Sequence, residues 1–374
     1  IHFDYKEGNE NYYSLYAGSL YISQSNVNIT DSIFANDFLS TSPNNIKSIF
    51  LTGGTIFMFL STCDIINCTI QNNSIFCQNS IVSSAKFEGG SLALQASNVS
   101  FVNSTFTQNH CDSITAKEKI YGGCIWFFKC SKVGINNCLF NNNKIVLNRN
   151  SNVQHQFHGG AFYAIDSHLS LNECVFVDNC IDSSQYENSL QFNGGVISLT
   201  HGNRDSSLKA NSCVFLNNSV SGGYECNGGA ICDSDGFSNI FLENCDFIDN
   251  YALSDNSECG GALFLSHSFL LNCTFTNNNA ECGSELFYSR NEINNLTVFD
   301  CVFSITKPCS KSISLIFFNL TVESSITSNF MNNKIDFSSP DNAVVFDGTL
   351  NRQINIDFNN NFISHCEEDL YSTN

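Results

Sequence analysis

Five ionisable residues fall in one repeating slot: Lys129, Asp166, His201, Asp235 and His267 each lie six residues after the second glycine of a Gly-Gly pair. A slot repeated at structural intervals becomes a column, and neighbouring Asp and His side chains are the types that move protons or hold a metal. The plainer reading is an alternating-charge ladder at a strand end, so no catalytic residue, cofactor or metal ligand is assigned to it. His155 and His158 make a second pair in the longest stretch between motifs, residues 141–158, and read as surface histidines. Cys226, Cys259 and Cys282 each lie in the loop just before a Gly-Gly motif or its decayed copy. Loop backbone can adjust to disulfide geometry, which makes Cys226–Cys259 or Cys259–Cys282 the candidate bridges. Asn-x-Ser/Thr occurs at Asn28, Asn67, Asn72, Asn98, Asn103, Asn217, Asn272, Asn295 and Asn319. With 19 cysteines, these glycosylation candidates point to the secretory pathway and an extracellular or cell-surface location.

What must position these residues is a repeat. Gly-Gly, a small residue and an apolar one recur from Gly53-Gly54-Thr55-Ile56 to Gly260-Gly261-Ala262-Leu263, with a decayed copy at Gly283-Ser284-Glu285-Leu286. Phe-x-x-Asn alternates with it, from Phe106–Asn109 to Phe358–Asn361, with degenerate copies such as Phe303–Thr306. Apolar and polar residues alternate within each unit, which is strand periodicity, and no segment carries a helical stripe. Units this short suit a solenoid coil of three strands rather than a propeller blade. The expected fold is all-β: one right-handed parallel β-helix domain over 1–374, of about eleven coils. Its repeats are clearest over 53–361, with 1–52 and 310–374 as more degenerate end coils. The first residues lack an initiator Met and a signal-peptide pattern, so the chain reads as part of a longer one.

Stacking turns motif positions into ladders. The position two before the motif Phe reads Ser32, Cys68, Ser104, Cys138, Cys174, Cys213, Cys245, Cys273, Cys301, Ser328, Ile356, a small soft run that suits an inward stack of mostly unbridged thiols. The residue before it is polar in every unit and is expected on an outward strand face. The motif Asn should stack at a turn, its amide bridging successive coils.

Gly228-Gly229-Ala230-Ile231 and its copies, alternating with Phe-x-x-Asn, resemble the repeat of the polymorphic membrane protein family, chlamydial autotransporter adhesins with related repeats in surface proteins of some parasitic protists. That resemblance covers about residues 53 to 361 and implies a β-helix displayed on a cell surface for adhesion. Cysteines and sequons fit a eukaryotic relative better than a bacterial one.

Charge bounds the partners. Sixteen Lys and Arg against 35 Asp and Glu give a net charge of −19, which repels nucleic acid and anionic polymers. The longest apolar run is far short of a membrane span, so no direct membrane insertion is expected. The reading is a non-enzymatic adhesin or a structural spacer or filament component, whose partners are other copies or neighbouring domains of a larger surface protein and host or matrix surface molecules. The alternatives are a polysaccharide-cleaving β-helix enzyme, for which His201-Gly202-Asn203 and His158-Gly159-Gly160 are only partial echoes of a catalytic motif, or a glycan-binding module. The last needs exposed aromatics on an outward ladder, for which Tyr163, Trp126 and Phe128 are the nearest candidates.

Overall fold

The structure, a computed structural model, describes residues 2–4, 12–41, 48–77, 84–113, 118–147, 155–183, 190–280, 282–288, 295–305, 314–319, 326–337, 342–347, 354–364 and 370–373. Within these residues the chain is a parallel β-solenoid without helix. One turn shows the plan. Ser84–Glu88 lies in a first wall, Leu92–Gln95 in a second, Asn98–Val102 in a third and Thr105–Thr107 in a fourth, and His110–Ser113 returns to the first. Equivalent strands stack in register into sheets of 14, 12, 11 and 11 strands. All pairings are parallel except that of His2–Asp4 with Tyr12–Tyr16.

Four walls replace the three strands per coil that alternation suggested. The residue before the inward Cys slot is a corner, not a strand residue: Asn67, Asn103, Asn137, Asn244 and Asn272 all sit near φ +50°. Asn tolerates this left-handed region better than most residues, and the corner shifts the in–out phase by one. In the run 237–247, Asn239–Glu243 and Asp246–Ile248 are therefore separate strands on different walls. Regular turns number about seven, those opened by the glycine pairs from Gly53 to Gly261, rather than eleven. The outer units lose the glycine pair, and beyond Tyr251–Cys259 the described strands belong to the second, third and fourth walls alone. That pair is sterically required, since a Cβ on Gly54 would lie 2.0 Å from the carbonyl oxygen of Gly90 in the next turn.

Each remaining corner is followed by an inward polar side chain that ties one turn to the next. After the second wall it is Ser: Ser61 N–H donates to Ser97 Oγ at 3.1 Å, and Cys130 N–H to Ser167 Oγ at 3.0 Å. After the third it is the Cys/Ser slot, where Cys68 N–H donates to Ser104 Oγ at 3.1 Å. The thiols there are buried, and burial pushes Cys138 up to about 12. After the fourth wall stands the Asn ladder. Asn143 Nδ2 donates to Asn179 Oδ1 and to Phe106 O, both at 3.0 Å, while Asn143 N–H donates to the same Oδ1 at 3.1 Å. Beneath the fourth wall the motif phenylalanines stack face to face, Phe106 to Phe303, at ring separations of 4.6–5.0 Å. Burying each ring stabilises the stack by roughly 2–3 kcal/mol.

The first wall is two-part. In most turns its halves flank residues outside the described set, but Ser219–Asn227 and Tyr251–Cys259 run through as single nine-residue strands. Inward residues of the two halves, among them Ile75, Phe87, Ile145, Phe157 and Phe192, form a cluster separate from the main core.

Candidate functional site

The charged column forms only in part. Lys129 and Asp166 occupy left-handed corners at φ +56° and +50°, and register places Ile165 against Thr200 and Leu199 against Asp233. Asp166, His201 and Asp235 therefore come together. His267 leaves the column. In its turn Ser266 follows Leu265 directly, so His267 lies past the corner, on the third wall, paired with Asn239. After Thr200, by contrast, residues 201–205 intervene before the inward Ser206.

The trio is occupied with backbone. Asp166 Oδ1 accepts N–H bonds from Gly202 at 2.7 Å and from Asn203 and Arg204 at 3.0 Å. Burial alone would raise its carboxyl, but the Arg204, Asn203 and Gly202 donors hold it below its ordinary value. Asp235 accepts the His201 N–H. These carboxylates hold the inserted loop against the corner. That is a capping role, and within the loop His201 Nδ1 lies 3.9 Å from Asp205 Oδ1.

A second cluster lies along the glycine corner, on the outside. The chain bends there so that outward side chains of the first and second walls meet: Tyr121 stacks on Tyr163 at 4.6 Å, and His158 on Tyr163 at 4.8 Å. Trp126 and Tyr163 are each only 4% exposed, yet they lie outside the main core. Phe128 is half-buried and stacks on Trp126. Lys86 Nζ sits over the Tyr121 and Trp126 rings and pairs with the buried Glu88 carboxylate. His158 is buried, not on the surface; burial first and then Lys119 push it down to about 3, and its Nδ1 lies 3.2 Å from Ser198 Oγ. The side chain of His155 is outside the described residues. This seam is a packed outer core.

The cysteine candidates divide between the two faces of the first wall. Cys226 pairs in register with Glu258 and Asn227 with Cys259, so Cys226 and Cys259 face opposite sides of the wall. Cys226 joins the inner cluster, and Cys259 packs with Phe287 in a small cluster of its own, against which Cys282 lies. Cys259 and Cys282 are direct register partners. Parallel in-register side chains point the same way rather than at each other, and no disulfide is formed among the described cysteines.

The outer face of the third wall carries one departure from its own rule. Its central column reads Asn28, Asp64, Ser100, Gly134, Ser170, Lys209, Phe241, Phe269, Thr297, Asn329, polar or glycine everywhere except at Phe241 and Phe269. Those two rings are half-buried and stacked, parallel within 2° with centroids 4.9 Å apart. Beside them runs the polar column Ser207, Asn239, His267. Between the columns lies a groove of about 350 Å³ bounded by Lys209 at one end and Thr297 at the other. The alternation around Ile240 and Leu242 marks Phe241 as outward, a signal legible only once the corner at Asn244 is known.

No family model, curated protein or solved structure matches the chain.

Among the sequons, Asn28, Asn67, Asn72, Asn103, Asn217 and Asn272 are exposed, and Asn98 is half-buried. The side chains of Asn295 and Asn319 are outside the described residues. No group of three or more metal-ligating side chains occurs among the described residues.

Proposed function

We propose that the chain is a rigid, non-enzymatic surface scaffold, an adhesin or spacer displayed outside the cell. The observation that supports it most is the uninterrupted parallel stacking of three walls through 11 or 12 strands. At the strand spacing this makes a rod roughly 50 Å long. Such a rod sets distance and presents repeated outer columns, and its charge of −19 keeps nucleic acid and anionic surfaces at bay. Partners in this reading are further copies or neighbouring domains of a larger surface protein, and host or matrix surface molecules. The Gly-Gly-Ala-Ile and Phe-x-x-Asn resemblance to surface adhesins points the same way.

The test is surface labelling of intact cells of the source organism, paired with reducing-end assays of the purified chain on plant and animal polysaccharides. Labelling without permeabilisation and no release of sugar ends is expected. Label that appears only after permeabilisation, or sustained release of sugar ends, overturns the proposal.

A further inference from the structure

We propose that the third-wall groove between Phe241/Phe269 and Ser207/Asn239/His267 is a saccharide-binding site sized for one or two pyranose rings. The two walls of the groove differ in chemistry. One is made by aromatic rings held in a column that is otherwise polar or glycine, so their exposure is not a by-product of the repeat. Solvent-facing aromatic surface costs free energy unless something covers it. The other wall carries the Ser207 hydroxyl, which lies 2.8 Å from His168 Nδ1, the exposed Asn239 amide and the His267 imidazole, spaced by the strand repeat of about 4.8 Å. A pyranose has the matching pair of surfaces: a C–H face that packs on aromatic carbon and a rim of hydroxyls that exchange hydrogen bonds. A groove of about 350 Å³ lies within the range of small-ligand sites. Lys209, exposed at one end, adds a cation that favours a sugar carrying a carboxylate.

Two sources supply such a sugar. It is carried on another surface, or it is the chain's own glycan on Asn272, an exposed corner residue at the end of the strand that bears Phe269. The first source deepens the adhesin reading and rests on it; the groove chemistry does not.

Saturation-transfer NMR on the full chain produced without glycosylation tests the site. The probes are the methyl glycosides of glucose, galactose, N-acetylglucosamine and glucuronic acid at millimolar concentration. Transfer to the C–H protons of at least one probe is expected. Phe269→Ala should weaken it about tenfold, as for loss of an aromatic contact, while Lys132→Ala on a remote part of the same wall leaves it unchanged. Should Phe269→Ala unfold the chain, Asn239→Ala tests the polar wall with the aromatic wall intact, and should likewise weaken binding. No transfer from any of the four probes, or transfer indifferent to both variants, overturns the proposal. Repeating the titration on glycosylated chain separates the sources. Binding blocked there and restored by Asn272→Gln assigns the groove to the chain's own glycan; unaltered binding assigns it to an external one. Sugar binding by a chain that surface labelling places inside the cell removes the adhesin reading and leaves the site standing.

Discussion

Replacing Asp233 by Asn should make the chain progressively more stable than wild type as pH rises. Asp233 stands in an inward column of the second wall whose register neighbour in the preceding turn is Leu199. Its carboxyl is buried, accepts the Ser266 hydroxyl and lies 3.3 Å from Ser238 N–H. Desolvation raises it from 3.8 to about 7, against the pull of Ser266 and Ser238. A carboxyl raised in the folded state binds more protons there than in the unfolded chain between these two values. Its contribution is thus fully present below pH ~4 and is lost as pH climbs toward ~7, about 4 kcal/mol in all. For a chain of this length that corresponds to about 5 °C in Tm. His158 works in the opposite sense. Its folded value is depressed to about 3, so stability rises with pH until the unfolded imidazole loses its proton near 6.5. The informative quantity is therefore the variant-minus-wild-type difference, from which His158 cancels. Any packing cost of Asn is constant with pH. Thermal unfolding at pH 4, 5, 6, 7 and 8 should show that difference growing by about 5 °C across the series. A difference that does not change with pH would refute the buried-acid account.

Three further outcomes follow from the ladders and the seam. Asn179→Ala removes the acceptor for Asn143 N–H and Nδ2 and the donor to Phe140 O, and urea unfolding should register a loss of about 3–5 kcal/mol. His158 should stay neutral, with no ring-proton titration by NMR between pH 5 and 8. Thiol reagent added to native chain at pH 8 should leave Cys124 and Cys138, both raised to about 12 by burial, unmodified in a peptide map and label them fully once urea is added.

The ladders were legible because residue identity repeats where the environment repeats. Cys and Ser alternate in one inward slot, and Asn recurs where a turn leaves backbone groups open. The corners were not legible, because the residues that tolerate positive φ are the same Asn and Asp that suit an outward strand face. The missing corner residue between Leu265 and Ser266 puts His267 on the third wall, and the corner at Asn244 sets the phase that turns Phe241 outward. The break in the Asn ladder is marked in the sequence. Phe303–Thr306 lacks the motif Asn in the turn after Asn278, and Glu285 replaces the small residue of the Gly-Gly unit. In the fold, Asn278 Nδ2 still donates to Phe247 O at 2.9 Å, and Glu285 takes up its other N–H. Burial holds the Glu285 carboxyl well above its ordinary value. Two departures in sequence are thus one compensated event in structure.

Most of the sequons are written by the corner itself. A left-handed Asn, an inward residue and an outward Ser or Thr opening the next strand spell Asn-x-Ser/Thr, and Asn67, Asn72, Asn103, Asn217 and Asn272 all arise this way. Their amides also have a structural use: Asn67 Nδ2 donates to Asp31, Asn72 to Asn36, Asn217 to Asp178 and Asn272 to Asn244 in the preceding turn. Glycosylation leaves one N–H on each amide, so the inter-turn bond survives only when that hydrogen is the bonded one. Corner sequons would therefore be present whatever compartment the chain occupies. Asn28 and Asn98 are different, since they lie on strands of the third wall where the corner rule is silent. Asn28 is the exposed one of the two, whereas Asn98 is half-buried and accepts the Ser131 hydroxyl at 2.9 Å. Peptide mapping of chain isolated from its native source should find sugar at Asn28 first. Sugar at none of the nine positions would remove the sequons as support for an extracellular chain and leave that reading resting on the repeat resemblance.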